Sequence, residues 1–267
     1  MSPELDTCGA GRAGLDAEPF ADCTDDRLLG GRVRLLQPAR GYRVAIDAVL
    51  LAASVPVASG QRIIDVGCGV GAAALCLLAR AAASGLSGVD AVGLDVQPRF
   101  VALARCNAER NGVAGAMTVV EGDVASAPDL GLFDRVMTNP PYLSAAHADP
   151  PPDRSKALAT VESTANLAAW LGFCRRLLRP GGTLSLVHRA DRRAELLRLL
   201  RPLAADIAVL PLLPQAGAAP RRLLIRARQG TGGQVRDLPG LVLHRKAGGY
   251  TPEAEAILRD LGSLDLG

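Results

Sequence analysis

From residue 62 onward, short apolar runs alternate with longer stretches of helical period. RIIDVG (62–67), AVGLDV (91–96), MTVVEG (117–122), FDRVMTN (133–139) and TLSLVHR (183–189) read as strands. They are too continuously apolar for a half-exposed sheet, which argues for burial on both faces. Between them, VGAAALCLLARAAA (70–83) is Ala-rich and free of internal breakers. PRFVALARCNAERNG (98–112) opens on a helix-starting proline and stops at Asn-Gly. STANLAAWLGFCRRLLRPGG (163–182) is expected to be a helix closed by Pro-Gly-Gly, and DRRAELLRLLRPL (191–203) another. DIAVLPLLP (206–214) and RRLLIRAR (221–228) are expected to close the sheet as an antiparallel pair. This β-α alternation predicts an α/β fold: a doubly wound, mostly parallel sheet with ligands at the C-terminal ends of its strands.

Composition narrows the class. The 267 residues are 49% hydrophobic and 21% charged, which suits one large domain with a substantial core. No apolar run approaches the ~20 residues that span a bilayer, so no membrane role is expected. Residues 1–27 lack a basic start and an apolar block; they are expected to be a disordered leader rather than a signal peptide. The remaining 28–267 is expected to be one domain: a lead-in strand and helix (28–58), a core (59–230) and a tail (231–267). Cys8, Cys23, Cys68, Cys76, Cys106 and Cys174 contain no C-x-x-C pair. Neither a zinc site nor a disulfide framework is indicated, and scattered free thiols fit a cytoplasmic protein. His147, His188 and His244 have no mutual spacing that suggests a metal and are expected to be surface or satisfied polar residues. Net charge is +3, but Arg175–Arg228 holds 12 Arg against Asp191, Glu195 and Asp206, a local balance of +9. Such a surface faces either nucleic acid or plain solvent.

The chemistry sits at strand ends. DVGCGVG (65–71) places Gly67, Gly69 and Gly71 where the first strand turns into a helix, so backbone can approach a ligand with no Cβ in the way. Asp95 ends the second strand, where a carboxylate can accept both hydroxyls of a ribose. Asp123 follows the third and can accept from an adenine amino group. Asp65 can orient the turn and meet a cofactor amino group. The fourth strand runs into Asn139-Pro140-Pro141-Tyr142.

Taken together, D-x-G-x-G-x-G, an acid after the second strand, G-D, and N-P-P-Y resemble the class I S-adenosylmethionine-dependent methyltransferases, in their amino-methylating branch. The resemblance covers residues 28–261. It implies a Rossmann-like, mostly parallel seven-stranded sheet with helices on both faces and an antiparallel closing strand. It also implies S-adenosyl-L-methionine as cofactor, held by Asp65, Gly67, Cys68, Gly69, Gly71, Asp95, Val96, Gln97, Asp123 and Val124. Asn139 is shared by the cofactor and amine sites. Upstream, Gln37, Gly41, Tyr42, Arg43 and Asp47 resemble the lead-in of the bacterial valine tRNA adenine-N6 methyltransferases, and LVLHRKAGGYTPEAEAILRD (241–260) resembles their tail. By that resemblance Gly41, Tyr42, Arg43 and Asp47 close over the cofactor, and the substrate is an adenine at position 37 of a tRNA anticodon loop. Alternatives are a ribosomal RNA base, a protein glutamine, or an RNA-binding protein without catalysis. About 30 residues precede RVRLLQP, fewer than the helical domain usual in release-factor enzymes.

The motif suits an exocyclic amine, whose lone pair is delocalised into its ring. An acceptor on each N–H draws the nitrogen toward tetrahedral shape. Asn139 offers its side-chain carbonyl and Pro140 its backbone carbonyl, with Pro140 and Pro141 holding the backbone extended. The Tyr142 ring can stack on the base, worth ~1–3 kcal/mol. Segment 143–163, with Arg154 and Lys156, is expected either to face the substrate or to be a surface connection. No metal is expected.

Overall fold

The computed structural model describes residue 20 and residues 22–144, 161–162 and 166–267. The expectations for 1–19, for His147, Arg154 and Lys156, and for most of the 143–163 segment lie outside the described residues.

The chain opens with an antiparallel hairpin, β1 (Cys23–Leu28) and β2 (Val33–Pro38), in a small sheet of its own. β1 thus occupies residues expected to belong to the leader. Its strands are held by side chains from further along: Asn107 bonds both the N–H and the C=O of Leu36. Next come α1 (Ile46–Ser54), β3 (Arg62–Val66), α2 (Ala72–Ala83), β4 (Asp90–Asp95), α3 (Pro98–Arg110), β5 (Met117–Glu121) and β6 (Phe133–Thr138). Two short strands, β7 (Leu143–Ser144) and β8 (Val161–Glu162), pair in parallel. α4 (Leu167–Arg176), β9 (Leu178–Arg189), α5 (Arg193–Leu200), β10 (Ala204–Gln215) and β11 (Arg222–Gln229) follow, then β12 (Gln234–Asp237), β13 (Leu241–His244) and α6 (Pro252–Arg259).

The main sheet runs β5-β4-β3-β6-β9-β11-β10, the expected seven strands. The tail adds two more, because β12 and β13 lie end to end along the outer side of β10. Only β11 runs against its neighbours. Alternation along the strands fills both faces. Ile63, Ala208 and Leu224 join one core with α1, α2, α3 and α6; Ile64, Ile207 and Ile225 join another with α4 and α5. The strand order reverses at β3, with β4 and β5 on one side of it and β6 and β9 on the other, and the crevice outside the strand tips at such a switch point is where ligands of this kind of sheet bind.

Two expectations need correction. The helix expected over 163–182 stops at Arg176, and Pro180-Gly181-Gly182 belongs to β9. Phe133 pairs with Leu178 but Arg135 with Thr183, so residues 179–182 bulge out of the ladder. The bulge is pinned by Arg179 on Asp134 at 2.8 Å. A Cβ on Gly182 would stand 3.0 Å from the Asp134 carbonyl, so the second glycine is there for close approach. The cysteines also differ: Cys23, Cys68, Cys76 and Cys174 are free, whereas Cys106 is disulfide-bonded.

The tail is built into the core. Arg80 on α2 is only 8% exposed, and its guanidinium donates to the carbonyls of Ile257 (2.7 Å), Leu261 (2.9 Å) and Gly262. The Leu264 N–H donates to the Ala53 carbonyl on α1 at 2.9 Å. No described helix is long and apolar enough to cross a membrane.

Candidate active site

Between β3 and α2, Gly67, Gly69 and Gly71 all have positive φ (74°, 54° and 86°), a backbone that only glycine adopts without strain. The flanking two are also crowded, since a Cβ on Gly67 would meet the Trp170 ring at 2.9 Å and one on Gly71 would meet the Met117 methyl at 2.9 Å. At Gly69 a Cβ would meet nothing within 4 Å. The middle of the loop is therefore the part that faces open space.

Two carboxylates frame that space. Asp95 accepts from the Gly69 N–H at 2.8 Å and the Gln97 N–H at 2.9 Å, so it shapes the loop as well as facing the crevice. Burial pushes its pKa up. Asp65 is 3% exposed, and its Oδ2 has no partner among the described residues. Burial, reinforced by the Asp95 charge, pushes Asp65 up to about 7. An orphaned buried carboxylate oxygen beside a Cβ-free loop fits a ligand with a cationic or hydroxylated group. At the tip of β4, Val96 is 41% exposed, one of the few large apolar side chains left so, and offers a surface for a flat ring.

Tyr42 reaches the same place. Burial and the charges of Asp47, Asp65 and Asp95 push its phenol up to about 12. Gly41, with φ 88°, makes the turn that brings it there.

The amine motif begins on the adjacent strand. Val66 and Thr138 are in register on parallel β3 and β6, so Gly67 and Asn139 follow on neighbouring strand tips, about 5 Å apart. The tips are tied together: the Thr138 hydroxyl donates to the Val66 carbonyl at 2.7 Å and accepts from the Trp170 indole N–H at 2.9 Å. Pro140 is buried, and Asn139 and Tyr142 are half-buried. The Tyr142 hydroxyl donates to Asn139 Oδ1 and lies 3.1 Å from Asp47 Oδ2. Asp47 Oδ2 also accepts from Arg222 Nε at 3.2 Å. The Arg222 guanidinium stands 4.6 Å from the Tyr142 ring centroid, and the His188 ring packs on it at 5.2 Å with planes 76° apart.

The structure thus separates the expected residues. Asp65, Gly67, Gly69, Gly71, Asp95, Val96, Gln97 and Tyr42 gather around the crevice. Asp123 stands at the end of β5, where its Oδ1 accepts from the Ala125 N–H at 2.9 Å. Cys68 and Val124 are buried, Val124 within the second core, so these two contribute packing and backbone rather than exposed side chains. Asp47 belongs with Tyr142, on the amine side. Arg43 does not reach the crevice: its guanidinium is held by Asp26 at 2.8 Å, Thr24 at 2.9 Å and the Pro38 carbonyl at 2.8 Å, all on the hairpin.

Sequence reading missed Arg222, Trp170, Thr138 and His188. His188 is fully buried, with neither ring nitrogen partnered among the described residues. Burial, with Arg192 nearby, pulls it down to about 4, so it is a neutral wall against Tyr142. It is neither at the surface nor satisfied. The basic stretch Arg175–Arg228 is also divided. Arg175, Arg176 and Arg179 lie at the opposite edge of the sheet from Arg189, Arg192 and Arg222, and Arg179, Arg189, Arg192 and Arg193 are paired with Asp134, Asp191, Glu195 and Asp237.

A family model described as the methyltransferase small domain matches residues 42–202, more than half of the chain. The chain belongs to this family. Its methyl donor is S-adenosyl-L-methionine, and the orphaned Asp65 carboxylate oxygen beside the Cβ-free turn at Gly69 suits a ligand with a cationic amino group. Among similar proteins is a tRNA1(Val) (adenine(37)-N6)-methyltransferase of Porphyromonas gingivalis W83, 29% identical over 239 residues, covering 81% of this chain and 87% of that one. Another protein of that description, from Aeromonas hydrophila, is 31% identical over 216 residues, covering 78% and 85%. A predicted O-methyltransferase from Agrobacterium tumefaciens shares the fold with a TM-score of 0.64 at 22% identity, covering 81% of this chain and 97% of that one. A 16S rRNA N2 methyltransferase from Thermus thermophilus does so at 0.54 and 18%, covering 78% and 50%.

Proposed function

We propose that this methyltransferase transfers a methyl group to the N6 amine of an adenine in tRNA, at position 37 of the anticodon loop. The observation that supports the amine chemistry is the register of β3 and β6, by which Asn139 follows its strand beside the turn that opens at Gly67. The tRNA target is supported by two relatives of that description, aligned over about four fifths of this chain. An unpaired loop base can be turned out of its stack at low cost.

Bound in the crevice, the cofactor supplies an activated methyl group on a sulfonium. Asp65 would pair with its amino group, Asp95 would accept from its ribose, and Tyr42 would cover it. Asn139 Oδ1 and the Pro140 carbonyl would each accept one N–H of the target amine. The Tyr142 contact does not block this, because an amide oxygen has two lone pairs. It fixes which way the amide points, so the acceptor is already in place before the amine arrives. His188 and the buried Pro140 keep this side of the site dry. The methylated amine is acidic enough to need no strong base.

The test is methyl transfer from labelled donor to separate tRNA, ribosomal RNA and protein fractions, followed by nucleoside digestion. Label is expected in tRNA as N6-methyladenosine. Label confined to ribosomal RNA or to protein would overturn the substrate assignment and leave the amine chemistry standing.

A further inference from the structure

The C-terminal ends of the parallel strands, one of which leads into Asn139, also carry a second group of residues on the far side of the sheet. β13 ends there at His244, opposite Gln215 of β10. The chain then closes on itself. The Arg245 N–H donates to the Gly249 carbonyl at 3.0 Å, the Gly248 N–H donates to the Arg245 carbonyl at 3.1 Å, and His244 bridges Tyr250 in antiparallel sense. The His244 and Tyr250 rings stack, with centroids 4.9 Å and planes 28° apart. A turn closed in this way holds its shape, and it displays Arg245 and Lys246, both exposed. Beside it, the β10–β11 turn (216–221) presents Arg221, also exposed. Among the described residues no carboxylate pairs with Arg221, Arg245 or Lys246.

Between the two turns lies an open concavity of 660 Å³, lined by Pro214, Gln215, Ala218, Pro220, Arg221 and His244. His244 Nδ1 is 3.2 Å from the Pro214 carbonyl. A carbonyl only accepts, so the proton sits on Nδ1, and in the neutral ring Nε2 is then an acceptor. The concavity therefore combines an apolar Pro and Ala floor, an imidazole and the exposed Arg221, and the exposed Arg245 and Lys246 follow His244 directly along the chain. One residue along from Arg221, Arg222 contacts the Tyr142 ring, so the backbone that leads out of the concavity continues into the amine side of the site.

We propose that this concavity is a nucleotide-binding subsite. It takes one unpaired nucleotide of the RNA substrate beside the target base, with phosphate against Arg221, Arg245 and Lys246 and the base on the floor next to His244. An acidic peptide would use the cations but has no use for a flat apolar floor with a single ring acceptor. The proposal rests on the RNA-methylating reading above and adds where the flanking strand runs.

The test uses the full chain carrying Arg221→Gln, Arg245→Gln and Lys246→Gln together. The log–log salt slope of tRNA affinity should fall by about three, roughly one for each phosphate no longer neutralised. KM for tRNA should rise while kcat and S-adenosylhomocysteine affinity stay at wild-type values, which also reports an intact fold. His244→Ala should raise KM several-fold with the salt slope unchanged, because it meets the base without an ionic charge. Arg175→Gln with Arg176→Gln, at the opposite sheet edge, should change neither. A triple variant with wild-type slope and KM overturns the subsite, as does an opposite-edge pair that loses as much. A wild-type chain that methylates ribosomal RNA or protein but not tRNA overturns the substrate reading instead, a result read before any variant is made.

Discussion

The two halves of the crevice are built differently. Apart from Tyr42, the cofactor half is drawn from one continuous βαβ unit, where backbone does most of the work: three positive-φ glycines, a loop shaped by Asp95, and Asp65 buried beneath it. The amine half is assembled from distant segments. Asn139 and Tyr142 follow β6, Asp47 comes from α1, His188 from β9 and Arg222 from β11, and the contacts are between side chains. A glycine turn can be specified by a few neighbouring residues. A ring held between a guanidinium and an imidazole needs three strands and a helix in place first. The first half should be sensitive in binding and the second in rate.

Asn139→Ala should break the amine half most severely. Single-turnover methylation with saturating donor should slow by on the order of 100- to 1,000-fold, the usual cost of one preorganised hydrogen-bonding group. S-adenosylhomocysteine affinity should barely move, and an enzyme of full rate would remove Asn139 from the chemistry. Asp95→Ala should do the reverse, weakening S-adenosylhomocysteine by more than ~1 kcal/mol, since the ribose acceptor and the Gly69 anchor go together. Calorimetric titration reads this directly; unchanged affinity would place the ribose elsewhere.

Asp65 gives a subtler contrast through pH. In the folded protein its pKa is raised from 3.8 to about 7, so the native state holds this proton more tightly than the unfolded chain does. Its contribution to stability is complete below about pH 4 and is lost as pH rises through about 7. Melting of the cofactor-free protein should accordingly fall across that window, and Asp65→Asn should flatten the fall. Cofactor binding runs the other way: a cationic amino group favours the carboxylate, so affinity should strengthen above pH 7 in the wild type only. The smallest effect is expected at Arg43→Ala. It should loosen the hairpin by at most ~1 kcal/mol, as half-exposed ion pairs do, and leave S-adenosylhomocysteine affinity alone. A large affinity loss there would return Arg43 to the cofactor side.

What could be read in the sequence follows the same division. The seven core strands, the glycine loop, Asp65, Asp95 and the Asn139 motif all announce themselves within a few residues of a strand end, where local geometry and chemistry coincide. Arg222 could not be picked out of twelve arginines, because its role comes from facing Tyr142 across an intervening strand, β9. His188 looks like any polar residue at a strand end until the fold buries it. The Pro180-Gly181-Gly182 stretch has the pattern of a helix stop, yet Leu177 and Leu178 are already buried beside β6, and the glycines serve a bulge instead. Arg43 sits inside a recognisable lead-in, but the residues that claim it, Thr24 and Asp26, lie in a stretch whose sequence pattern predicts no element.

Arg80 sets an order of events for the nascent chain. It lies on the helix that opens at the glycine loop, and its carbonyl partners are synthesised almost two hundred residues later. Until residues 257–262 arrive, closing α2 onto its neighbours would strand a guanidinium in apolar surroundings. Contacts this far apart along the chain form late and slowly. The cofactor loop should therefore remain loosely held through most of translation and firm up only when the tail docks, so that a ribosome-stalled chain ending near residue 230 would bind donor poorly although every donor-facing residue is already present.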